Sequence, residues 1–350
     1  MLSRDRACLL LREQANTCNA FGSPLYGDLL ECAAREVEGG GNLLFDLIAP
    51  HDAPSGRSGA LALRLMAAVH RLVLTGRAPA LMPHYPSVGG SQPNAWAAFA
   101  SVVADQRDLL VPLIALPCQT NEVGRAAALA FGFFEIAAAT GLPLQLLELG
   151  ASAGLNLRWD QYRYGGGGAS WGHQESQVDL VGLWKEAPPT LTEIRVVERR
   201  GCDPRPVDPT TAEGRLSLEA SIWADQTERF ARLRGALDVA RQIPVSVDQE
   251  SADTWLPRQL AVTRSGVASV VFHSIVQEYF SDETRNAVFA CLTEAGSRAT
   301  PDAPLFWLRL EPVSDVDLRY AVTLTSWPKG EERIVAWSGP HGSDVRRSKR

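Results

Sequence analysis

The amino-acid sequence predicts an α/β protein in which a helical N-terminal region precedes a doubly wound, mainly parallel sheet of seven strands with a C-terminal antiparallel hairpin. The first observation is a change of pattern near residue 140. Helical periodicity dominates before that point, and strands alternate with helices after it. The second observation is that two strand patterns, residues 320–326 and 333–337, follow each other closely. Repeated strand–helix units favour parallel pairing, and the hairpin adds antiparallel strands.

Residues 1–140 are predicted to form a helical cap domain. The clearest helix covers residues 60–74, where apolar residues recur at helical spacing and glycine and proline follow. A further helix over residues 122–139 leads directly into the first strand, which begins at Leu144.

Residues 141–340 are predicted to form the α/β domain. Later strands are expected at residues 194–198, 244–247, 269–273, 305–311, 320–326 and 333–337, and helices at 224–241, 253–262 and 282–295. An insertion of about residues 160–190, rich in glycine and tryptophan, separates the first two strands. Its composition fits a sub-structure folded over a site and equally a packed surface loop. The basic tail, residues 341–350, is predicted to be disordered.

Composition limits the classes of partner. The net charge of −6 gives no general attraction to nucleic acids or anionic membranes. The six cysteines form no Cys-x-x-Cys pair and the six histidines are dispersed, so no metal site is predicted. We expect reduced thiols and a cytoplasmic protein. The oligomeric state is left open.

The most informative stretch follows the first strand, where Glu148 precedes a run of small residues, Gly150-Ala151-Ser152-Ala153-Gly154. A strand that enters a helix through such a turn lets a ligand approach the backbone and points free helix N–H groups at it. Glu-x-Gly-x-x-x-Gly resembles the first motif of S-adenosylmethionine-dependent methyltransferases. Gly-x-Ser-x-Gly also matches the nucleophile elbow of α/β-hydrolases, with Ser152 as nucleophile.

The order of elements favours the methyltransferase alternative. A hydrolase elbow follows several strands and is accompanied by a His-Gly-Gly motif, and this chain has neither before Ser152. The hydrolase alternative requires an exposed Ser152 side chain within hydrogen-bond reach of a histidine. The methyltransferase alternative requires an acid at the end of the second strand for the ribose hydroxyls, and we assign Glu198, with Asp203 as second choice. Asp248 or Gln249, after the third strand, is the candidate adenine contact.

The end of the fourth strand supplies the candidate catalytic residue. Ligands of open α/β sheets bind at the carboxyl ends of strands, so His273 and Ser274 are expected to face the cofactor. His273 could accept a proton from the substrate, or it could be a strand-end histidine satisfied by a backbone partner. Glu311, which ends the fifth strand, is expected at the mouth of the same site.

Polar residues on both sides of the turn suggest a lining. Asn121, Glu122 and Arg125 begin the helix that feeds the first strand, and three further polar residues follow the turn: Asn156, Arg158 and Asp160. One hypothesis is that these six residues line the cofactor site, with Asn156 among the cofactor contacts. The alternative is a structural network of helix caps and ion pairs.

Six segments together carry a more specific resemblance. They are residues 22–26, 63–71, 119–125, 146–164, 200–208 and 223–226. In the same order they resemble a bacterial family catalogued as domain of unknown function 2332, and the likeness covers nearly the whole chain. That family is likened to methyltransferases at the level of fold, so the resemblance implies a fold and no specific reaction.

The sequence therefore predicts an S-adenosylmethionine-dependent methyltransferase that acts on a small molecule or a protein side chain. A non-catalytic protein that binds a nucleotide-like ligand on the same fold is the alternative from another class. A serine hydrolase is the third possibility.

Overall fold

A computed structural model describes residues 2–52, 60–313 and 319–349. The chain divides into a helical unit, residues 1–120 and 211–231, and a sheet unit, residues 121–210 and 232–350. The predicted boundary at residue 140 is therefore displaced. The helix before the first strand belongs with the sheet, and a later segment belongs with the helical unit.

The helical unit contains no strand within its described residues. Its helices are α1 Arg4–Ala20, α2 Pro24–Glu38, α3 Phe45–Ile48, α4 Leu61–Leu74, α5 Trp96–Asp105, α6 Arg107–Ile114 and α8 Ala212–Ser221. Their apolar faces meet in one core that includes Tyr26, Leu65, Phe99 and Trp223. Helix α4 confirms the helix that the apolar periodicity predicts at residues 60–74.

The sheet unit alternates strands and helices as the sequence predicts. Its elements are α7 Arg125–Thr140, β1 Leu144–Leu149, β2 Arg163–Gly166, β3 Ala169–Gly172, β4 Asp179–Trp184, β5 Val196–Asp203, α9 Thr227–Gln242, β6 Ser246–Gln249, α10 Ala252–Gln259, β7 Ala268–Ser274, α11 Asp282–Ser297, β8 Leu305–Pro312, β9 Tyr320–Trp327, β10 Glu331–Ser338 and β11 Arg346–Arg347. Of α9, the residues from Arg232 onward belong to this unit.

The main sheet has eight strands in the order β11-β10-β9-β8-β7-β1-β5-β6. The five strands β6, β5, β1, β7 and β8 pair in parallel, and the remaining pairs are antiparallel. The chain moves from β1 to β5 and β6 on one side and returns to β7 and β8 on the other. A topological switch point therefore lies between β1 and β7, where open α/β sheets bind ligands.

The two faces of this sheet carry different side chains near the switch point. Glu148 is in register with Phe272, whose ring contacts Phe133 of α7. Because paired residues of parallel strands point to the same side, Glu148 faces α7. His273 is one residue further along and so points to the opposite face, where its ring contacts Trp307.

The insertion forms a small second sheet in the order β3-β2-β4. Aromatic rings join it to α7: Trp159 stacks on Phe133 with ring centroids 4.5 Å apart and on Trp171 at 5.4 Å. Tyr164 and Trp184 stack at 5.2 Å. Such pairs add to the free energy gained from burial. The insertion is therefore an ordered three-stranded sub-structure beside α7, and its position over a ligand site stays a prediction.

The tail is partly ordered, which adds the eighth strand. Arg346 and Arg347 form β11 and pair with β10, and the amide of Val345 donates to the carbonyl oxygen of Leu183 at 2.9 Å. The prediction of disorder is wrong for these residues, and Arg350 lies outside the described residues. Within the described parts of the chain, the helices are all too short or too polar to cross a bilayer.

Candidate functional site

The turn after β1 has an unusual backbone conformation. Gly150, Ser152 and Gly154 have φ values of +67°, +52° and +64°. The left-handed conformation at a residue other than glycine costs about 1 kcal/mol or more. The end of β5 holds the turn in place, because the amide of Ala151 donates to the carbonyl oxygen of Cys202 at 3.0 Å and the amide of Ser152 donates to Asp203 Oδ2 at 2.9 Å.

The helix predicted to follow this turn is absent from the structure. A six-residue 3-10 helix, Asn156–Gln161, follows instead. Side chains occupy the carbonyl oxygens that an α-helix would use, because Arg158 donates to the oxygen of Gly154 at 2.7 Å and the Tyr162 hydroxyl to that of Leu155 at 2.5 Å. The amides of this segment are also used, because those of Ser152, Gly154 and Leu155 donate to Asp203, to the carbonyl oxygen of Ala151 and to Asn121. The expected row of free helix N–H groups is therefore wrong.

The two glycines of the turn are covered by valine side chains. A methyl group built on Gly150 would overlap Val276, and one on Gly154 would press against Val245 and Val247. The close approach that glycine permits is made here by the side chains of Val276, Val245 and Val247.

Glu148 is the buried acid of the site. It is 2% exposed, and its Oε2 atom has no hydrogen-bond partner in the part of the chain that the structure describes. Burial raises the pKa of Glu148 well above its ordinary value; the charges of Arg158 and Arg125 act in the opposite direction, and that of Asp203 raises it further. Without a partner for Oε2, the protonated carboxyl is the favoured form.

Three buried atoms without a partner lie close together in the sequence around this turn. They are Glu148 Oε2, Ser152 Oγ and Asn156 Oδ1. The amide nitrogen of Asn156 donates to the Glu122 carbonyl oxygen at 3.4 Å, which leaves its oxygen as the unused end. Folded proteins leave few buried polar atoms unpaired. Such a group of acceptors indicates a place where a ligand or ordered water supplies the donors.

The residues at the start of α7 lie beside the turn, where each engages the backbone. Asn121 Oδ1 accepts from the amide of Leu155 at 2.8 Å. Glu122 Oε1 accepts from the amide of Gly124 at 3.1 Å, and Arg125 donates to the carbonyl oxygen of Ser274 at 3.1 Å. These bonds are the structural network that the sequence left open as an alternative to a ligand lining.

The polar residues after the turn make similar contacts. Arg158 also donates to the carbonyl oxygen of Ile243 at 2.7 Å. Asp160 forms a two-pronged ion pair with Arg199, with both N···O distances 2.6 Å. Sequence reasoning did not predict Arg199 as the partner of Asp160. The only signal for it was its position in the strand that follows the insertion. Its pairing fixes the 3-10 helix against β5.

The other acid of this edge, Glu311, accepts several hydrogen bonds through one of its oxygens. Glu311 Oε1 accepts from His273 Nδ1 at 2.7 Å and from the amides of Val276 and Gln277 at 3.0 Å and 3.4 Å. His273 is completely buried, and its Nε2 has no partner. The segment that Glu311 holds contains Ile275, a β-branched residue with φ +52°.

This geometry corrects two expectations for His273. Its partner is the Glu311 carboxylate, whereas the sequence alternative was a backbone group. The ring also lies on the sheet face opposite to Glu148, so the two side chains do not face one ligand from the same side. Ser274 contributes its carbonyl oxygen to Arg125.

Two further predicted contacts are displaced from the turn. Strand β5 runs on to Asp203, and Glu198 is in register with Gln145 near the opposite edge of the sheet, where it binds Gln145 and Arg264. The assignment of Glu198 to a strand end is therefore wrong, and Asp203 occupies that end. Asp248 accepts from Arg200 at 2.7 Å and from Trp255 Nε1 at 2.6 Å.

The geometry contradicts the hydrolase alternative. Ser152 is 7% exposed, and its hydroxyl has no hydrogen-bond partner, histidine included, among the described residues. A serine nucleophile needs a base within hydrogen-bond reach. Within the same described residues, no group of three His, Cys, Asp or Glu side chains is placed to hold a metal ion.

A scan against protein-family models gives a match over residues 9–347 to the family described as uncharacterised proteins conserved in bacteria, DUF2332. The chain belongs to the DUF2332 family. Searches of the curated proteins and of the solved structures give no match.

The segments by which the sequence resembles DUF2332 gather in two places. Residues 119–125, 146–164 and 200–203 meet at the turn after β1. In the helical unit, Asp225 accepts from the Ser23 hydroxyl at 2.5 Å and from the amide of Leu25 at 2.9 Å. Asp225 thus caps α2, whose own N-cap side chain makes no such bond.

Proposed function

We propose that the sheet unit binds S-adenosylmethionine beside the turn after β1 and transfers its methyl group to a small molecule or a protein side chain. The observation that carries this proposal is the group of three buried, unpartnered atoms at Glu148, Ser152 and Asn156. They lie at the switch point of a doubly wound sheet, where such folds bind ligands.

The chemistry of these atoms matches that cofactor. Glu148 Oε2 and Asn156 Oδ1 are acceptors, so they suit a ligand that brings N–H or O–H donors and positive charge. The α-ammonium group of the cofactor is such a donor. Asp203 already accepts from the amides of Ser152 and Arg205, at 2.9 Å and 2.8 Å, but a carboxylate has about four acceptor positions and keeps capacity for ribose hydroxyls.

The cofactor, when bound, supplies a methyl group on a positively charged sulfur. The chain's own contribution is to bind, orient and exclude water, because an in-line displacement depends chiefly on positioning. Glu148 stands in a water-poor environment in which its protonated form is favoured. A cationic ligand would favour the ionised form, so binding should lower the pKa of Glu148 and release a proton.

One observation favours the alternative of a non-catalytic ligand-binding protein. The valine side chains over Gly150 and Gly154 cover the backbone at the turn. A site covered in this way can hold a ligand without admitting a second substrate. The two functions share the acceptor group, so cofactor binding is tested first and methyl transfer second.

Calorimetric titration with S-adenosylmethionine and with its demethylated product tests the proposal. We expect binding that Glu148→Gln weakens about a hundredfold, since a charge-assisted contact is lost. Glu198→Gln is the matched control because Glu198 lies near the opposite edge of the sheet, and its affinity should equal that of the wild type. Titration in buffers of different ionisation enthalpy measures the released proton. If folded wild-type protein binds neither compound, the proposal fails.

A further inference from the structure

The helical unit contains a groove of about 570 Å³ that the proposed function does not use. One wall is a stripe of α2, in which Leu25, Asp28, Cys32 and Arg35 recur at helical spacing. The segment of residues 84–96 forms the other wall. This volume is in the range of sites that hold small organic molecules.

The lining of the groove combines apolar surface with unbalanced negative charge. Leu29 and Trp96 provide apolar contact, and three carboxylates line the groove against one guanidinium group. The guanidinium of Arg35 is paired with Glu31 at 3.1 Å. Asp28 is exposed and has no hydrogen-bond or ion-pair partner among the described residues. Its charge is therefore available to a ligand.

The remaining carboxylate, Asp225, lines the groove and caps α2 through Ser23 and Leu25. The hydroxyl of Tyr85, in the segment of the second wall, is fully buried and has no hydrogen-bond partner among the described residues. Burial raises the pKa of Tyr85, and the nearby charge of Asp225 raises it further. The groove thus presents the carboxylate of Asp28 to a ligand beside the capping carboxylate of Asp225.

We propose that this groove binds a small organic cation, a protonated amine attached to an apolar or aromatic body. Asp28 receives the ammonium group, Leu25 and Leu29 receive the apolar body, and the partly exposed ring of Trp96 offers a face to either part. The site lies wholly within the helical unit and does not depend on methyl transfer. Charge complementarity selects the ligand class, because an anion would meet the same carboxylates with repulsion.

Three probes of nearly equal shape test the proposal: 2-phenylethylammonium, 2-phenylethanol and phenylacetate. Ligand-observed NMR with the full chain should show binding of the ammonium compound, weaker binding of the alcohol and none of the carboxylate. Added salt should weaken only the first. Equal or tighter binding of phenylacetate would overturn the proposal, as would the absence of binding by all three at millimolar concentration.

Matched variants locate the site. Asp28→Asn should weaken ammonium binding about fivefold to tenfold, since one charged contact is lost at a partly exposed position. Asp108→Asn, the same substitution at an exposed position of α6 outside the groove, should leave binding unchanged. Trp96→Leu should weaken both the ammonium compound and the alcohol. Unchanged binding in Asp28→Asn, with a circular dichroism spectrum like that of the wild type, rejects the assignment.

Discussion

Two acids at the same edge of the sheet differ in how their oxygens are used. Glu311, near the end of β8, accepts from a histidine and two backbone amides through one oxygen. Glu148, near the end of β1, is more deeply buried, yet its Oε2 accepts from nothing. Burying a carboxyl without partners is unfavourable, and proteins rarely keep such an arrangement without a use for it.

The segments beside these acids make the comparison closer. Each contains a left-handed residue that is not glycine, Ser152 after β1 and Ile275 after β7. Each is held by a carboxylate, Asp203 in the first case and Glu311 in the second. The turn after β1 therefore has two acids beside it, Asp203 and Glu148, and only Asp203 is needed to hold its backbone. This difference assigns a structural role to Glu311 and is consistent with the proposal that Glu148 contacts a ligand.

The largest expected effect on stability belongs to Glu311→Ala. Three donors lose their acceptor, and buried donors left unpaired cost about 1 kcal/mol or more each, so we expect the free energy of unfolding to fall by about 3 kcal/mol. Urea denaturation measures the change. Hydrogen exchange at the amides of Val276 and Gln277 should accelerate in the same variant.

Glu294→Ala on α11 is the control for that variant, because its ion pair with Arg298 lies at the surface and contributes little. If Glu311→Ala lowers the free energy of unfolding no more than this control does, the segment after β7 does not need Glu311 for its stability.

Glu148→Gln should act in the opposite direction on stability. The folded state raises the pKa of Glu148, so the folded protein keeps a proton that the unfolded chain has released. Stability then falls as the pH rises above the ordinary carboxyl pKa of 4.5 towards the higher value of the folded state. Glutamine removes this dependence.

Melting temperatures between pH 5 and pH 8 test that expectation. The advantage of Glu148→Gln over the wild type should be smallest at the acid end of the range and grow with pH, while ligand affinity falls about a hundredfold. A variant less stable than the wild type throughout that range would show that Glu148, like Glu311, serves the fold.

Much of this fold is predictable from the sequence, because apolar periodicity reports which elements are buried. The alternation after residue 140 and the closing hairpin both correspond to elements of the structure. The extent of β5 is not predictable in the same way. Beyond its predicted end at Glu198 the strand continues as Arg199-Arg200-Gly201-Cys202-Asp203, and the polar side chains there interrupt the apolar pattern of a strand. The misplacement of Glu198 follows from that hidden part of the strand.

The candidate site was less predictable than the fold. Sequence reasoning places an acid, small residues and Asn156 around one turn, and the structure brings these together. The sequence does not reveal that Arg158 and Tyr162 donate hydrogen bonds to the carbonyl oxygens of the turn, because such bonds depend on side-chain directions in space. Nor does the sequence reveal that Val276, from the segment after β7, covers Gly150. Contacts between distant segments leave no periodic signal.

Asp203→Asn tests the acid that holds the turn after β1, and we expect an intermediate loss of stability. The variant replaces a charged acceptor for the Ser152 amide with a neutral one, so we expect a loss of about 1–2 kcal/mol in the free energy of unfolding. The charge of Asp203 also raises the pKa of Glu148. The pH dependence of stability should therefore be weaker in Asp203→Asn, and Asp282→Asn, an exposed position on α11, should leave it unchanged.

The smallest expected effect comes from two substitutions of Ser152, which distinguish the contribution of backbone strain from that of the hydroxyl group. Ser152→Ala removes the hydroxyl and keeps a side chain at φ +52°, whereas Ser152→Gly removes both. Glycine adopts this conformation without steric penalty but loses more chain entropy on folding, so we expect the glycine variant to be more stable than the alanine variant by about 0.5–1 kcal/mol. Thermal denaturation of the pair measures the difference. If the strained turn is there to aim the hydroxyl at a ligand, both variants lose affinity to the same extent. If the turn serves only to join β1 to the 3-10 helix, neither variant loses affinity. The turn after β1 would then have a purely structural role, like the segment that Glu311 holds.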